Sequence, residues 1–429
     1  MIVSILLLLL VVGTPIGIAF ALIAMVNAES WNIDPFTLAA LPYDTVNSFP
    51  LLAIPLFLLV GELMNRGGLV AQLISVCDIF LNKVRAPLGH IMIFASALMG
   101  AITGSSVATV AAIGSTVGSE MRKRGYPVGY IAALNAAAGL LGVLIPPSIP
   151  LILYGSIVGV SITKLFMASL MPGLLTIVVF CIIHLALSRR VLKDGQETRA
   201  EDTLTDIGIG RKPVQTIVHA VPALLLPVLV LGGIYSGIFT PTEAAAVAGV
   251  YAMVVTVISR KAGKGDMRRI FEKAVLATAA ILVIIAFTSV FNRAMVLEQI
   301  PQSIADFTTT FTGNPFLFLL VVNIALILVG MFMETNAATL LMGPLLAPAA
   351  IRFGVDPVHF GIILVTNIEI GLLTPPLAAN LYVAARTNNA RLSAMMRYTW
   401  WFLGGTLLML MLITFIPQLT MWPNYFKVS

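Results

Sequence analysis

The chain has 429 residues, 59% of them hydrophobic and only 10% charged. An average soluble domain carries roughly 25% charged residues, so this composition cannot coat a globule of this size in polar surface and places the chain in a membrane. The net charge of +6 reads as an excess of Lys and Arg in cytoplasmic loops, not as a nucleic-acid surface. Continuous apolar runs exclude a transmembrane barrel of alternating strands. No G-x-x-x-x-G-K-[ST] stretch occurs, so ATP hydrolysis through a P-loop is excluded. Cys77, Cys181 and four scattered histidines form neither a disulfide framework nor a zinc site. Residues 1–26 lack the basic n-region and cleavage site of a signal peptide and read as retained membrane structure.

Apolar spans follow in chain order near 2–26, 50–65, 88–119, 126–160, 165–188, 214–236, 242–259, 274–292, 315–350, 357–385 and 398–416. A single crossing needs about 20 residues, so 88–119, 126–160 and 315–350 are too long for one, and Gly, Pro or small polar residues interrupt them. The polar stretch 189–213 reads as a cytoplasmic loop that divides the chain into a first half (1–188) and a second half (214–429). Segments 67–82 and 294–312 are amphipathic and precede the 88–119 and 315–350 spans. They read as arms, with joints at Gly67-Gly68 and Pro301.

Basic residues set the orientation. Placing the connections 66–85, 122–124, 189–212, 260–273 and 386–397 on one side gathers 21 of the 25 Lys and Arg there, leaving Lys164, Arg293, Arg352 and Lys427. That side is cytoplasmic by the positive-inside rule. Lys83/Arg85 and Arg122–Arg124 then flank 88–119 on one side, so this stretch enters and returns as a re-entrant hairpin. Residues 315–350, flanked by connections poor in basic residues, form a hairpin from the opposite side.

The halves repeat. Ser105-Ser106-Val107-Ala108-Thr109 lines up with Thr335-Asn336-Ala337-Ala338-Thr339. Asn135-x-x-x-Gly139-Leu140-Leu141 lines up with Asn367-x-x-x-Gly371-Leu372-Leu373, and Pro146-Pro147 with Pro375-Pro376. Each half thus holds a hairpin with a small polar tip and a helix broken by Pro-Pro, in opposite orientation. The fold expected is an all-α polytopic membrane protein of two inverted-topology repeats, the pattern of a secondary transporter with broken helices. Proline frees backbone carbonyls, which membrane depth tolerates only where they line a cavity or an ion. Neutral oxygens of this kind suit Na⁺, and the tips supply Thr103, Ser105, Ser106, Thr335 and Asn336. Each tip is expected to clamp an ion with its own break, Gly139–Pro146 including Gly142 in the first half and Gly371–Pro375 including Thr374 in the second. Two clamps imply at least two Na⁺ per cycle. Among the buried acids, Glu334 adjoins the second tip and is a candidate for contact with the transported species. Glu369, where the first repeat has Ala137, reads as structural or as a tuner of the second site. Arg293 either meets a carboxylate or snorkels.

At these residues a family resemblance emerges. Gly100-Ala-Ile-Thr-Gly-Ser-Ser-Val-Ala, Leu144-Ile-Pro-Pro-Ser-Ile-Pro, Phe239-Thr-Pro-Thr-Glu-Ala and Ile368-Glu-Ile-Gly-Leu-Leu-Thr-Pro-Pro resemble the large membrane subunit of tripartite ATP-independent periplasmic transporters, over essentially the whole chain. The resemblance implies a multi-pass protein of the bacterial inner membrane that imports organic acids on a Na⁺ gradient by an elevator mechanism. It implies a small four-helix (Q-type) membrane partner, expected as a separate chain, and a periplasmic substrate-binding protein, with lipid around the assembly. It also implies that tips and Pro-Pro breaks hold Na⁺ and face substrate, which makes Pro146, Pro375, Pro147, Ser148 and Asn380 further candidates beside Arg293 and Glu334. The sialic-acid type is favoured, four-carbon dicarboxylates next. A stand-alone sodium-coupled dicarboxylate or anion carrier of the same design is the alternative. An intramembrane enzyme has little support, because the tip Gly104-Ser105-Ser106 is not G-x-S-x-G and no histidine lies near it.

Overall fold

A computed structural model describes residues 9, 12, 14, 16–29, 34–191, 213–259 and 263–423. Most of the loop expected over 189–213, and the beginning of the span expected over 2–26, lie outside the described residues. Every regular element among the described residues is a helix. In the first half, α1 (Ile16–Asn27) and α2 (Pro35–Val46) lead through a 3-10 turn to α3 (Ala53–Arg66) and α4 (Leu69–Leu81). Next come α5 (Pro87–Thr103), α6 (Ser106–Lys123), α7 (Val128–Ala138), the single turn α8 (Leu141–Leu144), α9 (Ile149–Val158) and α10 (Ile162–Val191). The second half holds α11 (Pro213–Tyr235), α12 (Pro241–Ser259), α13 (Lys264–Leu297), α14 (Ile300–Phe311), α15 (Pro315–Phe332) and α16 (Thr335–Arg352). It ends in α17 (Pro357–Gly371), α18 (Ala379–Asn388), α19 (Leu392–Phe415) and the short α20 (Gln418–Met421). Seven described helices are long and apolar enough to cross a membrane, and α7–α8 with α9, bent by 40° at the break, have together the length and apolarity of a broken span or a re-entrant loop.

Local chemistry sets the ends. Proline opens α5, α15 and α17, where its missing N–H is no loss and its φ is already helical. Asn314 and Asp356 cap α15 and α17 by accepting hydrogen bonds from first-turn amides. Gly68 precedes α4 in the left-handed region, φ 72°. Its counterpart in the second half is Gln299, φ 53°, not Pro301, which sits inside the first turn of α14. The second arm therefore starts at Ile300, and residues 294–297 belong to α13. With 34 residues, α13 is about 51 Å long, well beyond an apolar core of about 30 Å. The span expected over 274–292 is its middle.

The two halves interlock. After the first Pro-Pro break, α9 leaves its own half and packs on α16; after the second, α18 packs on α6 and α7. Tyr154 on α9 donates its hydroxyl to the Pro357 carbonyl at 2.8 Å, and the Arg122 guanidinium on α6 donates to the Asn388 carbonyl. The helices α3, α11, α12 and α13 form a wall, with α3 against α12 and α13. The first hairpin pair, α5 and α6, packs together along its length. The second pair, α15 and α16, touches only slightly, α15 lying on α17 and α16 on α14 and α9.

Candidate functional site

Both hairpins turn at an N-cap. In the first, Gly104 is left-handed (φ 61°) and Ser105 caps α6, its hydroxyl accepting from the Ala108 amide at 3.4 Å. In the second, Glu334 caps α16, accepting from the Asn336 amide at 3.0 Å and the Ala337 amide at 3.4 Å. Cap matches cap, so Ser105 corresponds to Glu334 and Ser106 to Thr335, one residue off the register that small polar residues suggest.

This register has a chemical consequence. Ser106 and Thr335 are each the first residue of a helix, and both lie by one carboxyl, that of Glu369 on α17, to which Thr335 is hydrogen-bonded. Thr335 donates to Glu369 at 2.8 Å, and the Ser106 hydroxyl faces the same group. Glu369 is wholly buried, and one of its oxygens has no protein hydrogen-bond partner. Two helix N-termini aimed at one place supply positive potential that lets an acid sit there. Sequence reading valued Glu369 as local to the second site; in the structure it joins both tips.

Around the first tip the expected residues come together. The Gly104 carbonyl accepts from the Ile149 amide at 3.2 Å, closing the tip onto the far side of the break. A Cβ on Gly142 would stand 2.6 Å from the Thr109 hydroxyl and 2.7 Å from the Ser105 carbonyl oxygen, so only glycine allows this approach. Gly139 lies equally close to α6. Thr103 donates to the Met99 carbonyl at 3.1 Å and lies 3.3 Å from the Thr109 hydroxyl. Thr109 was not among the expected residues; its signal was its place one helical turn beyond Ser105. Pro146, Pro147 and Ser148 are buried with everything from Gly129 to Gly155, and the Ser148 hydroxyl has no protein partner.

The second tip is more open. Gly371 presses on Gly330, where its Cβ would meet backbone at 2.4 Å. Asn336 donates its side-chain amide to Glu334 at 2.7 Å and leaves its own oxygen unpartnered. Thr374 is satisfied by its own helix, donating to the Ile370 carbonyl at 3.1 Å. Pro375 is half-buried, and Pro376 and Glu334 are exposed. Asn380 is wholly buried, and neither of its amide atoms has a protein partner. Arg293 belongs to neither tip; it lines a separate cavity.

Residues 3–419 match the family described as the tripartite ATP-independent periplasmic transporter DctM component. The chain belongs to this DctM family. It is 38% identical over 396 residues to the C4-dicarboxylate TRAP transporter large permease protein DctM of Pseudomonas aeruginosa, covering 92% of this chain and 90% of that one. It is 34% identical over 415 residues to the sialic acid TRAP transporter large permease protein SiaM of Vibrio cholerae, covering 96% and 95%. With the isethionate TRAP transporter permease protein DctMQ of Oleidesulfovibrio alaskensis it shares 37% identity over 423 residues, 97% of this chain but 64% of the relative's length. The fold resembles that of the Alcanivorax borkumensis YdaH transporter, TM-score 0.63 at 15% identity, over 92% of this chain and 89% of that one. As a DctM-family protein it is a multi-pass protein of the bacterial inner membrane, and its seven long apolar helices agree. The relatives' names carry three different acids, so membership alone does not select among them.

Proposed function

We propose that the chain is the large permease of a Na⁺-driven importer that accepts an organic acid from a periplasmic binding protein and works with a small four-helix membrane subunit. The hairpins and broken helices form the moving core of an elevator, built as two inverted repeats; α3, α11, α12 and α13 form its static wall. N-acetylneuraminate and four-carbon dicarboxylates are the first substrates to test. One observation carries the reading: Ser106 and Thr335 converge on Glu369 between two Pro-Pro breaks. Buried oxygens without protein partners occur on the same tips and helices, in Asn135, Ser148, Asn336, Thr339, Thr366 and Asn367. A buried oxygen without a partner is costly, and a Na⁺ bound there would supply the missing interaction. As cargo, Na⁺ must also leave, which weak neutral ligands permit.

Uptake of labelled acid into proteoliposomes holding both membrane subunits tests it. Uptake should need both an inward Na⁺ gradient and the loaded binding protein, and should rise sigmoidally with external Na⁺. Full uptake on a proton gradient alone would remove sodium from the mechanism. Uptake of free acid without the binding protein would favour a stand-alone carrier.

A further inference from the structure

Apart from the tips, the chain has a cavity of about 460 Å³ walled by α2, α9, α13 and α16. None of the tip or break residues lines it. Its nearest lining residues on α16 are Leu340 and Pro344, about 8 and 14 Å along the helix from Thr335. The volume lies within the roughly 300–1,000 Å³ of small-molecule sites.

Its α13 wall is chemically specific. Thr288, Ser289, Asn292 and Arg293 all line the cavity; Thr288 with Asn292, and Ser289 with Asn292 and Arg293, stand at the four- and three-residue spacings that share a helical face. Thr288 is 1% exposed and its hydroxyl has no protein partner. Asn292 donates its amide to the Leu340 carbonyl at 3.0 Å, and its oxygen is left without a partner. Arg293 forms no ion pair among the described residues. The α2 and α9 helices add Asp44, Thr45 and Ser156 to the lining. A guanidinium from α13 and a carboxylate from α2 that line one cavity without pairing select a ligand that carries both an anionic group and hydrogen-bond donors.

We infer that this cavity is a receiving site for the transported acid, distinct from the tips, and that it takes a monocarboxylate bearing hydroxyl or amide donors. The ligand's carboxylate meets Arg293, its donors meet Asp44 and the Asn292 oxygen, and its acceptors take the Thr288 hydroxyl. A plain dicarboxylate fits less well, because its second carboxylate would face Asp44. The site rests on the import reading above. Arg293 lies near the end of α13 opposite the basic Lys264–Lys273 turns, which places the cavity on the outer face where a binding protein delivers. Its walls come from both wall and core, so movement of the core would dismantle it and release the ligand inward.

The test uses the complete transporter in proteoliposomes, with N-acetylneuraminate, succinate and isethionate as probes. Arg293→Gln should raise the half-saturating concentration of loaded binding protein at least about tenfold, the effect of roughly 1.4 kcal/mol. Thr288→Val, which removes only the hydroxyl, should raise it about threefold, and neither should move the Na⁺ curve. Ser289→Cys should react with an impermeant maleimide and be protected by N-acetylneuraminate better than by succinate, the parental chain serving as blank for Cys77 and Cys181. Parental substrate curves in both Arg293→Gln and Thr288→Val, or labelling that no acid slows while uptake proceeds, would overturn the receiving site. Absence of uptake in the unmodified transporter would instead refute the import reading, and the labelling arm would then decide the cavity alone.

Discussion

The two hairpin tips are built to one plan and kept in different surroundings. The first is sealed: α5 and α6 pack along their length, the tip bonds across its break, and every residue from Gly129 to Gly155 is buried. The second is open: α15 and α16 barely touch, the cap Glu334 is exposed, and Pro376 and Leu377 are exposed just after α17. The shared plan puts a hydroxyl at the first helical position of each tip; the difference puts an acid, Glu369, on one side only. A fixed tip and a loose tip that meet at one carboxyl suit a transporter that must hold its cargo and then open on command. The second tip is the one with room to move.

The largest effect should come from tying the first tip to the wall. A Cβ on Gly61 of α3 would stand 3.5 Å from the Thr103 Cβ, at the short end of the roughly 3.5–4.5 Å found in disulfides. The double variant G61C/T103C should cross-link under oxidation and lose all uptake, and a reductant should restore it. The reduced form is its own control for the altered Thr103 hydroxyl. Normal uptake in a verified cross-linked sample would mean that the first tip does not travel relative to α3.

Next come the hydroxyls on Glu369. Thr335→Val keeps the shape and removes the donor at 2.8 Å. An unpaired buried group costs about 1–3 kcal/mol, so half-saturating Na⁺ should rise roughly five- to 150-fold, with little change in protein abundance. Ser106→Ala and Asn336→Ala should move the same curve by less, since Ser106 shares Glu369 with Thr335 and Asn336 is held at Glu334. If all three keep the parental Na⁺ curve, sodium is not held at the tips.

These effects show what the sequence could and could not convey. The helix turns near 104 and 334 and the Pro-Pro breaks were legible because each leaves a local mark in an otherwise apolar chain. The tip register was not, because Ser-Ser against Thr-Asn is a better match of letters than Ser105 against Glu334. Capping chemistry decides otherwise, since both side chains accept from first-turn amides. Glu369 was undervalued for a different reason. No local pattern reveals that Ser106 and Thr335, on separate hairpins in opposite halves, end at the same carboxyl.

Steric room is short at both breaks, Gly371 pressing on the Gly330 backbone and Gly142 on the first tip. Gly142→Ala would set a Cβ against the Thr109 hydroxyl and the Ser105 carbonyl at 2.6 and 2.7 Å. Because the surroundings are wholly buried, the strain cannot relax outward. Overpacking of this kind costs about 1–3 kcal/mol, and thermal stability should fall along with uptake. A variant as stable and as active as the parent would show that the first break yields despite its burial.

The smallest effect should appear at the exposed end of the second break. Leu377 is 55% exposed, and its amide, not its side chain, makes the contact across the tip, donating to the Met331 carbonyl at 3.3 Å. Leu377→Ala keeps that amide and creates no buried cavity. Substitutions at such surface positions usually change stability by about 0.5 kcal/mol or less, so uptake and half-saturating Na⁺ should stay within about twofold of the parent. The informative contrast is Leu377→Pro, which removes the N–H from this contact, and also fixes φ there and restrains Pro376, while leaving an apolar residue in place. If the amide is what holds the open tip to its break, the proline variant should weaken Na⁺ binding while the alanine variant does not. Equal and large losses from both would mean that the Leu377 side chain is covered during transport. The second tip would then close as tightly as the first at some point in the cycle.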